Sequence, residues 1–453
     1  MSSHPIDFLL LGNNFGTPEM REIWSEQNRL TQQINVEVAL ALAEGELGVI
    51  PQQAALSIAE LANASQLNIK DIAASGAQMK HSLMPVLTAL QQQCGDAGEY
   101  IHYGATTQDI IDTATVLQLA QTLKVIVRDS TAVANELKAL AREHQYTLMT
   151  GRTHGMQALP TTFGFKVAVW LDEFIRHLDR LAAITPRLLT GNISGAISTY
   201  AALGEVGPEI ERRTLARLNL STPNIGWQAA RDRFSEYASV AVLISGTLGK
   251  IGNELYNLMR TEINEVEEPF SSGKIGSTTM PHKRNPIACA AILTAAQRTP
   301  GLVATLYTGQ IQQHERALGG WQAEWETLPE LMTLVGGALA QSEALVRDMQ
   351  VFPPKMRADL EITHGLIMAE AVTLALAEFI GKADAHHRIE ALCRQALDTS
   401  CSLQSVLEND PQVSEHLSAD RLTQLLDPTT ATGSSALFVR QVVARYKEQL
   451  HEC

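Results

Sequence analysis

The chain has 453 residues, of which 45% are hydrophobic and only 5% aromatic, and its 35 Lys and Arg stand against 49 Asp and Glu for a formal net charge of -14. This length exceeds a single ordinary hydrophobic core, and an apolar set rich in Ala and Leu favours packed helices over a β-sandwich. The acidic balance gives no global electrostatic support for a nucleic-acid-binding or anionic-membrane surface.

The cysteines are typical of a protein in a reducing compartment. Cys94, Cys289, Cys393, Cys401 and Cys453 are scattered and form no CxxC pair, so neither a disulfide framework nor a zinc site is expected. The N-terminus lacks a basic region, and no stretch approaches the roughly 18 consecutive apolar residues of a membrane span. We therefore expect a cytoplasmic protein without an export signal.

Long amphipathic helices dominate the pattern. In the clearest one, apolar residues recur at steps of three or four over about seven turns, interrupted once at Ser130. These residues are Val116, Leu119, Leu123, Val127, Val133, Leu137 and Leu140. Similar patterns predict helices over residues 30–47, 163–181, 233–266, 286–306 and 328–349. The predicted fold class is all-α, and apolar stripes wider than one partner helix covers predict a homo-oligomer.

Helix-breaking residues divide the chain. They cluster in residues 95–104, 185–207 and 269–281, and again at 351–355, which contain Pro353 and Pro354. We place domain boundaries near residues 105 and 355. The predicted domains are an N-terminal helical domain (1–105), a central long-helix bundle domain that carries the oligomer core (106–355) and a C-terminal helical domain (356–453).

A polar segment precedes the longest predicted helix, with the sequence Tyr100-Ile-His-Tyr-Gly-Ala-Thr-Thr-Gln-Asp109. Thr106, with Asp109 three residues later, resembles a helix-capping arrangement. The threonine hydroxyls could equally bind a carboxylate at the helix start. From the residues alone, both interpretations stay open.

A second segment, Gly151-Arg-Thr-His-Gly-Met-Gln-Ala-Leu-Pro160, is predicted to be a loop before a helix that begins near Thr161. His154 in such a loop can carry a proton near neutral pH. A single histidine can also be a purely structural residue.

The third segment runs from a Gly- and Ser-rich loop, residues 271–279, to Asn285-Pro286 and an Ala-rich helix. Pro at the first helical position favours a helix start, whose free N–H groups attract anions. Lys283 and Arg284 add positive charge, so this start is suited to holding a carboxylate. The alternative is a capped helix behind a mobile loop.

In their order and spacing, the three segments resemble the shared motifs of the fumarase/aspartase superfamily, which includes fumarase, argininosuccinate lyase, adenylosuccinate lyase and 3-carboxy-cis,cis-muconate cycloisomerase. Residues 277–285 match the pattern Ser-Ser-x-Met-Pro-x-Lys-x-Asn, with Thr278 replacing the second Ser. The similarity extends over nearly the whole chain. It implies a three-domain helical subunit, a homotetramer built on long central helices, and active sites that each combine segments of three subunits.

The resemblance also implies a reaction, an anti elimination across the central carbons of a succinate-like substrate. By similarity, Ser277 on a closing loop is the base, and Lys283 with Asn285 holds the carboxylate whose charge grows in the intermediate. His154 matches the residue that protonates the leaving atom. The family's chemistry requires neither a metal nor an organic cofactor.

Further residues are expected to bind substrate. By similarity this set comprises Thr106, Thr107, Gln108, His81, His102, Thr153, Gln228 and Arg231.

Departures from the family narrow the substrate. Adenylosuccinate lyases carry Arg-Tyr-Ser before the Pro-Glu-Met match, but here the residues are Asn14-Phe-Gly-Thr17, and residues 321–325 also lack the phosphate ligands found there. A purine nucleotide is therefore not the expected substrate. Residues 313–329 are very similar to muconate cycloisomerases, whereas Arg152-Thr-His-Gly155 resembles adenylosuccinate lyase.

We therefore expect a lyase or cycloisomerase, similar to 3-carboxy-cis,cis-muconate cycloisomerase, that acts on a small substituted di- or tricarboxylate. One alternative is adenylosuccinate lyase, argininosuccinate lyase or another fumarate-releasing C–N lyase. The other is a non-catalytic scaffold of the same fold. The scaffold alternative does not explain why the chain has Ser277, His154, Lys283 and Asn285 together. A scaffold needs none of these residues.

Overall fold

The computed structural model describes residues 4–270, 277 and 279–452. Its α-helices in chain order are α1 (Gly12–Phe15), α2 (Pro18–Ile23), α3 (Glu26–Glu46), α4 (Gln52–Leu61), α5 (Ile69–Met79), α6 (Met84–Cys94), α7 (Thr107–Glu143), α8 (Phe163–Leu188), α9 (Gly207–Arg217), α10 (Asp232–Leu258), α11 (Ile287–Gly309), α12 (Gly320–Asp348), α13 (Pro353–Asp359), α14 (Ala369–Ile380), α15 (Lys382–Thr399), α16 (Leu403–Glu408), α17 (Pro411–Ser414), α18 (Ala419–Leu425) and α19 (Ser435–Glu452).

The described strands are short and form two antiparallel pairs, β1 (Leu148–Thr153) with β2 (Met156–Thr162) and β3 (Val266–Glu267) with β4 (Gln350–Val351). Short 3₁₀ helices lie at Pro5–Asp7, Ala64–Gln66, Gly95–Tyr100, Gly204–Val206, Leu366–Met368 and Pro428–Thr430. The prediction of an all-α fold is therefore confirmed.

The predicted long helices correspond to α3, α7, α8, α10, α11 and α12. The longest, α7, has 37 residues, and its apolar stripe is buried except at Val127, which is 36% exposed; Val116, Leu119 and Val133 are each 0% exposed. The predicted end of one helix was wrong, because α10 ends at Leu258 and not near residue 266. There the chain reverses, with Asn264 in the left-handed region (φ 50°) and the N–H of Glu265 donating to the carbonyl of Leu258.

The segment around His154 also differs from the prediction of a loop. It is a β-hairpin, in which Thr153 pairs with Met156 across a two-residue turn. Both turn residues have positive φ, 53° at His154 and 80° at Gly155. Turns of this kind usually have Asn or Asp before Gly, so a His in the first position concealed the hairpin in the sequence.

The chain forms two compact units. The first comprises Met1–Ser130, His177–Gly249 and Ala291–Gln341, and the second comprises Thr131–Arg176, Lys250–Ala290 and Ser342–Cys453. The first unit buries Ile110 of α7, Phe234 of α10 and Leu331 of α12. In the second, a core cluster built around Leu376, Leu403 and neighbouring apolar residues joins α14 to α18. The three-domain division at residues 105 and 355 stays a prediction.

Two helices, α7 and α11, are long and apolar enough to cross a membrane by length and composition. Core helices satisfy the same criterion, and 67% of the most apolar window of α7 is buried inside the protein. The corresponding share of α11 is only 28%. Helix α11 therefore presents an apolar surface, which includes Ile287 and Tyr307.

Candidate active site

The start of α7 is organised by a buried carboxylate, that of Asp109. Its two oxygens accept five N–H groups at 2.8 to 3.1 Å, from the backbones of Thr106, Ser194 and Gly195 and from the side-chain amides of Asn192 and Gln228. Burial raises the pKa of Asp109 to about 6, although these donors act to lower it. Asp109 is thus a carboxylate at neutral pH and fixes the loop at residues 192–195 against the helix start.

A capping box at Thr106 requires two hydrogen bonds, and the structure confirms one of them. The Thr106 N–H donates to Asp109 as a capping box requires, but the Thr106 hydroxyl accepts from Arg316 at 3.3 Å instead of capping the helix. Arg316 also donates to the Ala196 carbonyl at 2.5 Å and to Gln228 Oε1 at 3.4 Å. Within the described residues, this partly exposed guanidinium bonds to neutral oxygens and to no carboxylate, so it is available to a substrate carboxylate.

Arg316 received no role from the sequence. It lies in residues 313–329, whose similarity to the cycloisomerases indicates a class of substrate but no role for this residue. Its proximity to Thr106 depends on a sequence separation of 210 residues, which no local pattern reveals.

Gln108 and Gln228 are buried, each 1% exposed. The Gln108 amide donates to Asp112 Oδ2 at 3.1 Å and to the Gln228 carbonyl at 3.0 Å. The Gln228 amide donates to Asp109 and to the Gly195 carbonyl at 2.8 Å. Both side chains connect parts of the protein to one another, and this geometry favours a positioning role over direct contact with substrate.

Arg231 is enclosed by two carboxylates. Its guanidinium donates to both oxygens of Asp112, at 2.6 and 3.0 Å, and also contacts both oxygens of Glu324. Its side chain is 0% exposed. Burial raises the pKa of Glu324 while Arg231 acts to lower it. This geometry likewise favours a structural role for Arg231.

His81 and His102 lie in opposite hydrogen-bonding environments. His81 Nδ1 accepts the backbone N–H groups of Leu83 (3.2 Å) and Met84 (2.9 Å), so its proton resides on Nε2. That Nε2 lies 3.5 Å from the hydroxyl of Thr107. His81 can therefore donate a hydrogen bond from Nε2 beside Thr107.

His102 instead pairs with a carboxylate. Its Nδ1 lies 2.7 Å from Oε1 of Glu37, which is 2% exposed, and its backbone has φ of 66°. Burial acts to lower the pKa of His102, but the hydrogen bond and charge of Glu37, with Asp109, raise it overall. Glu44, one heptad after Glu37 on α3, is fully buried, and burial together with the Glu37 charge raises its pKa to about 9.

Neither glutamate was proposed from the sequence, although a signal was present. Leu30, Ile34, Glu37, Ala41 and Glu44 recur at steps of four and three residues, and all are buried. Two carboxylates within an apolar stripe are costly unless they are paired or protonated. Such positions indicate a functional or structural carboxyl group.

In the second unit, the hairpin exposes Thr153 and His154 at its turn. The strand before the turn is held by Arg152, which donates to both carboxylate oxygens of Glu265 at 2.7 and 3.0 Å. Glu265 is 0% exposed, and burial raises its pKa while Arg152 acts to lower it and Asp359 adds to the rise. A bidentate ion pair with a buried partner thus orients the strand that carries His154.

Ser277 is partly exposed, and its hydroxyl oxygen accepts two backbone N–H groups, from Thr279 at 3.3 Å and Met280 at 3.0 Å. Donors in this position stabilise negative charge on that oxygen. Gly273 and Gly276, predicted to permit loop closure, and Thr278 lie outside the described residues.

Lys283 and Asn285 line an open cavity of about 1110 Å³ in the second unit. Arg284 Nη1 forms an ion pair with Glu267 Oε1 at 2.6 Å, and its guanidinium carbon lies 4.6 Å from the centre of the Phe270 ring. The exposed ammonium group of Lys283 has no ion-pair partner within the described part of the chain. Lys283 is therefore the cation available for an anionic ligand at this position.

The predicted use of the α11 start for anion binding was wrong. The N–H groups of Ala288 and Cys289 donate to the carboxylate of Glu268, at 3.0 and 2.8 Å. The Glu268 carboxylate accepts these N–H groups and compensates the positive end of the helix dipole. The two N–H groups are therefore not free for a ligand. Anion binding by this segment depends instead on Lys283 and Asn285, which precede the helix.

The predicted residues thus form two sets. The first unit holds His81, His102, Thr106, Thr107, Gln108, Gln228 and Arg231, and the second holds Thr153, His154, Ser277, Lys283 and Asn285. Over residues 4–270, 277 and 279–452, no hydrogen bond or ion pair joins His154 to Ser277 or Lys283. In the same part of the chain, no cluster of His, Cys, Asp and Glu side chains suits a metal ion.

The sequence and the fold both match known proteins. The family model described as Lyase matches residues 14–301, and the model described as Adenylosuccinate lyase C-terminus matches residues 365–442. N-acetyl-S-(2-succino)cysteine lyase of Dickeya dadantii is 59% identical over 99% of this chain and 98% of the relative. The protein of the same name from Enterococcus italicus is 48% identical over the same shares.

Among solved structures, the 3-carboxy-cis,cis-muconate lactonizing enzyme of Pseudomonas putida superposes with a TM-score of 0.94 at 40% identity, covering 98% of this chain and 100% of that one. The similarity is therefore continuous in sequence and in fold. The chain belongs to the lyase family of the fumarase/aspartase superfamily and is an enzyme.

Proposed function

We propose that this enzyme is a C–S lyase that cleaves N-acetyl-S-(2-succino)cysteine to fumarate and N-acetylcysteine. The observation that carries the proposal is the 59% and 48% identity, over 99% of the chain, with two relatives that bear this name. The substrate fits the expectation of a small substituted polycarboxylate. It also fits the expected loss of the nucleotide phosphate contacts, since it has no phosphate.

The reaction is an elimination across C2 and C3 of the succinyl group. A base removes a proton from C3, the electron pair of that C–H bond forms the C2–C3 double bond, and the C2–S bond breaks with its electrons on sulfur. The products are fumarate and a thiolate, which takes up a proton. No oxidant or reductant is needed.

Ser277 is proposed as the base. A serine hydroxyl serves in this role only when its oxyanion is stabilised, and the N–H groups of Thr279 and Met280 are directed at its oxygen. Lys283 and Asn285 would hold the carboxylate next to C3, on which negative charge grows as the proton leaves. His154 would protonate the departing sulfur.

Binding of the second carboxylate is assigned to the first unit. The Thr106 and Thr107 hydroxyls, the Nε2–H of His81 and the Arg316 guanidinium supply donors around the start of α7. The hydrogen bond and charge of Glu37 raise the pKa of His102, which favours the cationic form of this residue.

A homotetramer with shared active sites is part of this proposal. Apolar side chains exposed on the long helices support it, among them Leu243 on α10 (49% exposed) and Ile287 on α11 (59%). Light scattering coupled to size-exclusion chromatography tests it. A monomer of 49.3 kDa that is fully active would contradict the shared site.

The second candidate is cycloisomerisation of 3-carboxy-cis,cis-muconate, favoured by the TM-score of 0.94 with the Pseudomonas putida enzyme. A panel of N-acetyl-S-(2-succino)cysteine, adenylosuccinate, argininosuccinate and 3-carboxymuconate separates the activities. Fumarate release from the thioether at the highest kcat/KM supports the C–S lyase. Preferential consumption of 3-carboxymuconate would support the cycloisomerase instead.

A further inference from the structure

A cavity of about 480 Å³ lies within the first unit. It is lined by residues of α3, α5, α6, α7 and α12 and by His81. Because His81 Nε2 also lies 3.5 Å from the Thr107 hydroxyl, the cavity adjoins the predicted substrate-binding start of α7. A substrate held there can extend its substituent into this space.

The cation of the cavity is Arg29. Its guanidinium lies 5.1 Å from the centre of the Trp325 ring, and within the described residues it forms no ion pair or hydrogen bond. Burial lowers the pKa of Arg29, against the opposing charge of Glu26. A largely enclosed arginine without a bonded carboxylate is unusual, because a desolvated charge is costly unless it is paired.

The two indoles of the cavity also lack partners. Nε1 of Trp24 and Nε1 of Trp325 are buried, and neither donates a hydrogen bond in the part of the chain that the structure describes. An unsatisfied buried donor costs roughly 1–3 kcal/mol. A carbonyl group of a ligand would supply an acceptor that the protein does not.

Two acidic residues of the cavity are already engaged. Asp112 and Glu324 both bond to Arg231, which lies between their carboxylates. Their charges are thus partly compensated. Within the described residues the lining keeps one cation without a bonded carboxylate, Arg29, and one exposed carboxylate, Glu26, which acts on Arg29 by its charge but forms no hydrogen bond with it. Apolar side chains such as Leu30, Val86 and Leu328 complete the lining.

We infer that this cavity binds the leaving group, with Arg29 pairing with the carboxylate of the N-acetylcysteine part while Trp325 supports the guanidinium. The inference rests on the proposed C–S lyase activity and names the residue that selects the thiol. An acyl-amino-acid thiol matches the cavity in three respects: a carboxylate for the cation, an amide carbonyl for an indole N–H, and apolar atoms for the walls.

The test compares two thioethers that differ only in this carboxylate, N-acetyl-S-(2-succino)cysteine and the S-(2-succino) derivative of N-acetylcysteamine. The wild-type enzyme is expected to prefer the first by roughly 10- to 100-fold in kcat/KM, as expected for one charged hydrogen-bonded pair. Arg29→Met keeps the packing volume and should reduce that preference to about unity. Arg29→Lys should retain part of it.

Arg233→Met is the matched control, because Arg233 also lies over an indole, 5.3 Å from the Trp227 ring, but does not line the cavity. Its effect should be equal on both thioethers. If Arg29→Met does not fold, competitive inhibition of the wild type decides, and N-acetylcysteine should inhibit at a lower concentration than N-acetylcysteamine.

Three results would overturn the inference. If the wild type cleaves both thioethers equally well, the inference fails while the proposed function stands. If Arg29→Met slows both thioethers by the same factor, Arg29 is a packing residue. If the wild type cleaves neither, the proposed function fails and the inference fails with it.

Discussion

His102 Nδ1 lies 2.7 Å from Oε1 of Glu37, a carboxylate that is 2% exposed. This pair gives a histidine of the candidate site a fixed ring orientation and a protonated Nδ1. In His81, by contrast, Nδ1 accepts two backbone N–H groups, so Nε2 is the nitrogen that can donate. The first unit therefore presents two imidazoles in opposite hydrogen-bonding environments.

Replacing Glu37 should change the pH dependence of activity. In the wild type the raised pKa of His102 extends its charged form to higher pH, and this contribution is lost as pH rises through that pKa. In Glu37→Gln the hydrogen bond and charge of Glu37 are lost while burial still lowers the pKa, so the alkaline limb of kcat/KM should move to lower pH. A full pH–rate profile measures this shift.

Glu44→Gln is the matched control. Because the pKa of Glu44 is about 9, its carboxyl group is protonated at neutral pH and glutamine resembles it. Its profile should follow the wild type. An unshifted profile in Glu37→Gln, with a lower rate at every pH, would reduce Glu37 to a structural residue.

Ser277→Ala should lower kcat by about 10³-fold or more, because it removes the proposed base and leaves substrate binding in place. Fumarate absorbance measures turnover, and calorimetric titration with substrate measures binding. Ser239→Ala, on α10 and outside both sets of candidate residues, is the control. Activity of Ser277→Ala near the wild-type level would contradict the assignment.

Loss of His154 should depend on the leaving group. A thiol has a pKa of about 8.5, so a thiolate departs with little help, whereas an amine or a more basic thiol needs the proton in the transition state. For His154→Asn we expect the loss in kcat to grow with the pKa of the thiol across a series of S-(2-succino) thioethers. An equal loss for every thioether would indicate a binding role.

Arg231→Met should destabilise the fold by about 3–5 kcal/mol, because Asp112 and Glu324 would remain buried without their cation. The pKa of Glu324, already raised by burial, would rise further once Arg231 no longer lowers it. A carboxyl group whose pKa is raised in the folded state stabilises the fold at low pH, and this contribution is lost as pH rises through the raised pKa.

The difference in melting temperature between Arg231→Met and the wild type should therefore be smaller at pH 5 than at pH 8. Thermal unfolding followed by circular dichroism at both values measures it. Arg394→Met removes an exposed pair with Glu390 and should change stability by less than about 1 kcal/mol at either pH. A difference for Arg231→Met that is independent of pH would contradict the desolvation argument.

The long helices could be predicted because their apolar periodicity is a local property of the sequence, as in Val116 to Leu140 of α7. The hairpin at His154 was missed because its turn uses His where Asn or Asp is usual. The contact of the Glu268 carboxylate with the start of α11 could not be predicted either, since the partners lie about 20 residues apart in the sequence.

In the candidate site, too, residues in local motifs could be predicted and residues that act through distant contacts could not. Ser277, Lys283, Asn285 and His154 were identified by motif, because their order along the chain is itself the signal. The carboxylates that hold parts of the site in place, Glu37 at His102 and Glu265 at the strand before His154, were not identified, since each acts through a contact between distant segments. Arg29 is a third case: its neighbours in sequence say nothing of the unpaired charge that the cavity creates.

The most direct test of the central claim is the initial rate of fumarate formation from N-acetyl-S-(2-succino)cysteine by the purified enzyme, with thiol release followed in the same reaction. The proposed function predicts fumarate and N-acetylcysteine in equal amounts, at a kcat/KM at least tenfold above that for adenylosuccinate, argininosuccinate or 3-carboxymuconate. A wild-type preparation that releases neither product from this thioether, while it consumes one of the other substrates, would contradict the claim.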